Sequence, residues 1–418
     1  MQNSHYPLIF SAAFTLAQLA IIVIFGYTPY PDSEGYILLA NQCIAQGEPY
    51  PIASELYNYP FLWNIGSINA VALSLKLFGS VTPLLVFYAI LKGITAWLCY
   101  DITRFLTSNK RIASIVLTIF ILYPANYGEA TSVLGEIPFI FLALLAVWLC
   151  LSKFYFIAAG MVLALAGWVR PFALVFLIAL ILFFAFTTDD KRRWWKPVLR
   201  LIGGYITAVL LIGTITFART GLFLYQAKTG WMALVDYSYE HSSVCSDSVA
   251  ASYPAAIRDD STMNVSEKDA AWRTLFLQWL ADHPGEYIGQ MPRKLIDTYA
   301  SDNVNFCTFL PDKTEREYMY EELSLSTIIS QLPHLTVVQW LTVINLLFYY
   351  LLLLTALLSL WWFHLKSYLL PVAVITLGTL MLLFVGHGEA RFHQPFMPFI
   401  IFLSALFIDR WKNKKAYS

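Results

Sequence analysis

Apolar residues run along this chain in long, uninterrupted blocks, unlike the alternating pattern of half-buried strands or the narrow stripes of soluble helices. The first block is Leu8–Tyr27. Others cover about 82–100, 112–125, 137–152, 154–169, 171–187, 199–218, 337–363, 368–385 and 395–408. Several reach about 18 residues with almost no charge, enough to cross a hydrocarbon core as a helix. No Lys or Arg precedes the first block and no small-residue cleavage site follows it, so it reads as a retained span and not as a signal peptide. One stretch, Phe61–Phe78, is apolar but broken by Asn64, Ser67, Asn69 and Lys76.

The distribution of cations decides whether that stretch crosses. If it lies in the interface, Arg104, Lys110, Arg111, Lys153, Lys191 to Arg193, Lys196, Arg200, Lys366 and the tail Arg410, Lys412, Lys414 and Lys415 all fall on the cytoplasmic side. The short outer loops then keep only Arg170 and Arg391. If it crosses, every one of those clusters faces outward, against the positive-inside rule. The pattern therefore predicts an all-α polytopic membrane protein with ten transmembrane helices and both termini cytoplasmic. Two outer segments are large, 28–81 and 219–336, dividing the chain into a module over 1–218, an extracytoplasmic region over 219–336 and C-terminal spans over 337–418. The first outer loop should carry amphipathic helices lying on the membrane, one from Ser33 to Gln46 with Asp32 as N-cap and Gly47 as stop. The second is too long for a bare loop, and Trp272–Ala281 and Tyr287–Tyr299 look helical on either side of His283-Pro284-Gly285.

Composition agrees and narrows the classes. Of 418 residues, 58% are apolar and 13% charged, with a mean hydropathy of +0.60. A soluble domain carries roughly 25% charged residues. The 27 basic and 27 acidic residues cancel, so no bulk field exists to hold a nucleic-acid backbone. Of five cysteines, Cys99 and Cys150 lie in apolar blocks; Cys43, Cys245 and Cys307 form no CxxC and have no histidine at metal-ligand spacing. A Cys245–Cys307 disulfide needs an oxidising compartment, and spacing alone does not establish it.

The polar residues left over gather at one predicted surface. Asp32 and Glu34 follow the first span in Pro29-Tyr30-Pro31-Asp32-Ser33-Glu34-Gly35-Tyr36. Glu129 and Glu136 sit between the third and fourth spans, and Arg170 marks the turn Gly167-Trp168-Val169-Arg170-Pro171. Gly386-His387-Gly388-Glu389-Ala390-Arg391-Phe392-His393 joins the ninth and tenth spans. Acids beside arginines at one interface suit a lipid phosphate bearing a group to be transferred.

These segments resemble the GT-C membrane glycosyltransferases. The resemblance rests on the acidic pair after the first span, on Tyr57-Asn58-Tyr59-Pro60-Phe61-Leu62-Trp63 leading into Lys76-Leu77-Phe78-Gly79, on the Gly-Trp-Val-Arg-Pro turn and on the late Glu-Ala-Arg-Phe-His-Gln-Pro segment. By pattern it is similar to the protein O-mannosyltransferases and the lipid A aminoarabinose transferases, over about residues 1–185 and 370–410; the 219–336 region matches no family signature. The resemblance implies transfer of a sugar from a polyprenyl-phosphate donor to a lipid, glycan or protein acceptor, with inversion, at the extracytoplasmic face of a bacterial inner or plasma membrane. It makes Asp32 the general base or acceptor-orienting acid, with Glu34 as the alternative because Ser33 intervenes in what would be an acidic pair. An acceptor hydroxyl needs a carboxylate to take its proton, and a departing phosphate needs cations, for which Arg170 and Arg391 are the candidates. Glu129, Glu136, Tyr59, His387, Glu389 and His393 are expected to line the site.

Each residue also has a plainer reading. Asp32 can serve only as an N-cap, Glu129 and Glu136 as solvated loop acids, and the two arginines as snorkelling interfacial anchors. His387, Glu389 and His393 with the first-loop acids offer a divalent-cation site as an alternative, though two histidines in one turn are more often loop hydrogen bonders; no cofactor is assigned. Lys92 lies mid-span, to meet a lipid headgroup or an acid on a neighbouring helix. Two other functions stay open. A lipid-linked glycan transporter or flippase predicts polar groups at the bilayer midplane. An O-antigen polymerase or ligase would lean on basic residues of the second outer region, such as Arg258, Arg273, Arg293 and Lys294.

Overall fold

The computed structural model describes residues 5–48, 64–188, 193–313, 321–386 and 388–416. Among them every regular element is helical. The first half contains α1 (Tyr6–Phe25), α2 (Pro31–Gln46), α3 (Ile65–Phe78), α4 (Thr82–Thr107), α5 (Lys110–Leu122), α6 (Glu136–Trp148), α7 (Phe156–Val169), α8 (Ala173–Thr187) and α9 (Trp195–Thr220). A helical region follows, with α10 (Gly230–Glu240), α11 (Ser248–Asp259), α12 (Val265–Asp282), α13 (Pro284–Gly289), α14 (Met291–Tyr299) and α15 (Leu325–Ser330). Three long helices come last: α16 (Val337–Ser359), α17 (Leu365–Val385) and α18 (Met397–Ala416).

Seven helical stretches in the described residues are long and apolar enough to cross a membrane: those containing α1, α4, α6, α9, α16, α17 and α18. An eighth is bent, because α5 stops at Leu122 and the short turns through Thr131 leave it at 67°. The ten predicted spans are all present as helices, but α7 and α8, at 14 and 15 residues, fall short of a full crossing by length. Apolar side chains stand exposed along α1 (Leu16, Val23, Ile24), α9 (Leu210, Leu211) and α16 (Leu347, Leu354, Leu357), surface that water would not tolerate and lipid would cover. The architecture is that of a multi-pass helical membrane protein.

Burial ranks the spans. The stretch carrying α18 is 83% buried and α4 61%, whereas α1 is 22% buried and lies at the rim. Small residues set the closest approaches, as expected where lipid tails remove the hydrophobic drive between helices. On α7 and α9 the backbones touch: a Cβ on Gly160 would lie 2.0 Å from the Leu201 carbonyl oxygen, and one on Gly204 2.1 Å from that of Ile157.

The segment between α1 and α4 departs from expectation in one detail. Its helix begins at Pro31, with Tyr30 as N-cap, so Asp32 lies inside the first turn and is not the cap. The proline supplies the fixed φ that suits a first helical position. Gly47 ends the helix in the left-handed conformation, φ 70°. Helix α3 covers most of the ambiguous apolar stretch and is too short, at 14 residues, to count as a span. In the second region both predicted helices exist. The first, α12, starts earlier, at Val265, where Asn264 and Glu267 form a capping box that the apolar pattern alone does not announce. The second is broken at Gln290 into α13 and α14. Cys245 is exposed and Cys307 buried, and neither is joined to another cysteine, so that disulfide is absent.

The paired glycines of α9 give a clean test of this packing. Gly204→Val should splay α7 from α9 and destabilise the fold by about 1–3 kcal/mol, the usual range for overpacking. Gly203→Ala, with nothing within 4 Å of its added Cβ, should be neutral or stabilising. Unfolding of both variants in lipid nanodiscs checks the contrast.

Candidate active site

Four loops bring their charges to one place. Asp32 comes from the first turn of α2, Glu136 from the first turn of α6, Arg170 from the C-cap of α7 and Arg391 from the short helix Ala390–Phe396. The hub is Arg391. Its Nη2 lies 2.7 Å from Asp32 Oδ2, its Nε 2.6 Å from Glu389 Oε1 and 3.9 Å from Glu136 Oε1. Arg170 Nη1 meets the same Glu136 Oε1 at 2.5 Å. Three carboxylates thus share two guanidiniums, leaving one negative charge in excess.

Burial grades the group. The Glu136 side chain is 1% exposed and Arg170 7%, while Arg391 and Asp32 are 14% and 17% exposed and Glu389 36%. Glu136 stands in the first turn of α6, at the helix N-terminus. Its Oε2 is buried with no hydrogen-bond partner among the described residues. Arg170 is pinned by shape: its guanidinium stacks over the Phe172 and Phe392 rings at 5.9 and 5.3 Å. Gly135 clears its path, since a Cβ there would sit 3.1 Å from Arg170 Cγ.

Glu34, two residues beyond Asp32, is exposed and on a different face of α2, because residues two apart on a helix diverge. Tyr36, one turn on, shares the Asp32 face instead. It is buried, its hydroxyl accepts a hydrogen bond from Asn64 Nδ2 at 2.8 Å, and burial with the nearby Asp32 charge raises its pKa above the usual value. The i, i+4 spacing of Asp32 and Tyr36 was the sequence signal for it. Tyr59 and His387 lie outside the described residues.

Two of the expected site residues belong to a second, deeper cluster. Glu129 is no solvated loop acid: it is buried against Lys92 Nζ, which also donates to Asn126 Oδ1 at 3.0 Å. Lys92 therefore meets an acid from a neighbouring segment. His393 is fully buried and turned away from Glu389. Its Nδ1 is 2.7 Å from the Thr298 carbonyl, its ring packs between Tyr299 and Tyr349, and its Nε2 lies 3.7 Å from Asp302. Asp302, which accepts from the Tyr123 hydroxyl, had no signal in the sequence beyond being an acid in a long loop. Lys92, Glu129, Asn126, Tyr123 and Asp302 line a cavity of about 30 Å³, room for a water or two among polar partners. Among the described residues no group of three or more His, Cys, Asp or Glu side chains could hold a metal ion.

The turn bearing Glu389 is held from below by Lys294 of α14. This buried ammonium donates to the carbonyls of Leu383 and Gly386 at 3.2 and 3.0 Å, and lies over the Tyr237 and Tyr287 rings at 4.9 and 5.4 Å. It thereby caps the C-terminal carbonyls of α17. Gly388 packs so tightly on this lysine's backbone that a Cβ would come 2.7 Å from its carbonyl oxygen.

No family model, no curated protein and no solved structure matches the chain.

Two measurements probe this electrostatic arrangement. Lys92→Met or Glu129→Gln alone should cost about 3–5 kcal/mol by stranding a buried charge, and the double variant should recover much of that loss in reversible unfolding. For Lys294, burial pulls the pKa from 10.5 down to about 8. The unfolded chain keeps this proton up to pH 10.5 while the folded chain sheds it near 8, so this group's contribution to stability rises with pH across that window. The stability difference between wild type and Lys294→Met should shift in favour of wild type as pH climbs from 8 towards 10.5; a flat difference would mean the lysine titrates normally.

Proposed function

We propose that the protein is a membrane glycosyltransferase that moves a sugar from a polyprenyl-phosphate donor to a hydroxyl-bearing acceptor, with inversion at the anomeric carbon. In this reading the chain has ten spans, α7 and α8 among them, and the charged cluster faces the extracytoplasmic side. The observation that carries the proposal is the convergence of Asp32, Glu136 and Glu389 on Arg170 and Arg391 at one end of an apolar helix bundle.

The chemistry follows from the charges. The acceptor oxygen attacks the anomeric carbon, the bond from that carbon to the phosphate oxygen breaks, and the phosphate leaves with the electron pair. The acceptor's proton goes to a carboxylate. Asp32 suits this role because it is more accessible than Glu136, which shares the same guanidinium. The leaving phosphate gathers negative charge and competes with Asp32, Glu136 and Glu389 for the guanidinium donors of Arg391 and Arg170. Glu136, buried and short of partners at Oε2, orients Arg170 and Arg391. No cofactor is required by this scheme.

A transporter for a lipid-linked glycan is favoured by one observation, the buried Lys92–Glu129 pair and its small cavity beside Asp302, polar groups in the bundle interior that the apolar pattern hides. The polymerase or ligase reading loses Lys294, committed to backbone carbonyls, and keeps Arg293 as an exposed cation.

Sugar transfer in proteoliposomes tests the proposal. Asp32→Asn should lower turnover by about 10²–10⁴-fold, the range for losing a general base, while Glu34→Gln stays near wild type. Wild-type turnover in Asp32→Asn would sink the mechanism, and glycolipid crossing without a covalent product would favour transport.

A further inference from the structure

Beside the charged cluster, on the far side of Glu389, lies a half-open cavity of about 420 Å³. Such a volume falls within the range of small-molecule sites. Its walls come from four places: the segment after α14 (Ser301, Asn303, Cys307), the residues just before α15 (Leu323), the middle of α16 (Leu346, Tyr350) and the Glu389–Ala390 step. No lysine, arginine or histidine lines it among the described residues, and Glu389 is its one acidic side chain there.

That lining selects by charge. Among the described residues of the wall, a phosphate or carboxylate placed there meets the Glu389 carboxylate and no cation, Arg391 being bound to that carboxylate but not lining the cavity, so anions are disfavoured. Hydroxyls find partners in the Glu389 carboxylate, the Ser301 hydroxyl and the Asn303 amide, whose Nδ2 already donates to the Leu323 carbonyl at 2.8 Å and leaves its oxygen to accept. Apolar C–H faces meet Leu346 and the Tyr350 ring. Tyr350 is half-exposed, and its neighbours Leu347, Leu351 and Leu354 form an outward apolar strip, so the cavity borders the surface that lipid would cover. Glu389 itself is held by Arg391 Nε at 2.6 Å and Nη2 at 3.3 Å, and Arg391 reaches Asp32.

We propose that this cavity binds the uncharged sugar ring of a lipid-tethered glycoside, with Glu389 as the residue that selects it, while phosphate is left to the arginines on the other side. The inference rests on the proposed sugar chemistry but makes a claim of its own: the seat is for a neutral polyhydroxylated ring, and it exists whether or not transfer follows.

Labelling distinguishes the two. In a Cys245→Ser, Cys307→Ala background, which removes the exposed thiol and the native thiol already on the cavity wall, Ser301→Cys places a reactive thiol there. The protein is held in phosphatidylcholine nanodiscs and labelled with a maleimide in the presence of octyl glucoside, octyl galactoside, octyl mannoside or octyl phosphate. At nine-tenths occupancy a bound glycoside leaves a tenth of the sites open, so labelling should slow about tenfold. At least one glycoside should protect and octyl phosphate should not. Leu346→Trp, which fills the cavity with a larger apolar side chain, should abolish protection while circular dichroism and unfolding stay near wild type. Glu389→Gln should weaken protection or change the glycoside preferred. Equal or better protection by octyl phosphate overturns the neutral-ring assignment. Absence of protection by all three glycosides, with the introduced thiol freely labelled, overturns the site. Protection that persists in a protein without transferase activity overturns the proposed function and leaves the site standing; activity unaffected by Leu346→Trp, with no protection, does the reverse.

Discussion

One guanidinium holds the candidate site together. Arg391 sits where the loops after α1, before α6 and before α18 meet, and its planar donors reach Asp32, Glu136 and Glu389. None of these carboxylates could stand near the others without it, since like charges a few ångströms apart in a half-buried setting repel strongly. Arg170, held against two phenylalanine rings, supplies the second positive charge to Glu136. The remaining structure serves this arrangement: Tyr225 packs closely on Gly167, three residues before Arg170, and Lys294 fixes the turn that leads to Arg391.

The two charged clusters differ in kind. At the rim, five charges carry a net excess of one carboxylate, and Asp32, Glu389 and Arg391 among them are partly exposed, an arrangement that can exchange partners with an incoming ligand. In the bundle, Lys92 and Glu129 are locked to each other, and Lys92 also to Asn126, with little to gain from any exchange. A buried pair of this kind contributes less to stability than its removal would suggest, because desolvation offsets most of the attraction. Its value lies in fixing how α4 meets the bent segment after α5.

Much of the scaffold was legible in the sequence, because lipid imposes a coarse rule that long apolar blocks obey. All ten expected helices exist, and the two arginines singled out by their rarity in the loops expected to be outer do meet Asp32, Glu136 and Glu389. What the pattern could not supply was depth and direction. Glu129 and Glu136 stand seven residues apart in one polar stretch, yet the bend after Leu122 sends Glu129 inward to Lys92 and leaves Glu136 at the rim. His393 and Arg391 are two residues apart in a tight helical turn, and that alone points one ring towards Asp302 and the other side chain towards Asp32. Length was not legible either: α7 and α8 are apolar throughout but are ended after 14 and 15 residues by the extended backbone at Arg170 and at Thr188. Asp302 and Lys294 gained their roles only through tertiary contact, and no local spacing foretells that.

The ion pair between Asp32 and Arg391 also sets an order of assembly. Synthesis delivers the N-terminal part of a chain first, so the carboxylate after α1 emerges long before the arginine that precedes α18. Until α17 has been made, that acid has no Arg391 to share, and Glu136 has only Arg170. A chain halted before this turn can thread its earlier helices through the bilayer and still leave the three acids without their common partner. Emergence of the Arg391 turn is therefore the step that turns separate loops into one charged constellation.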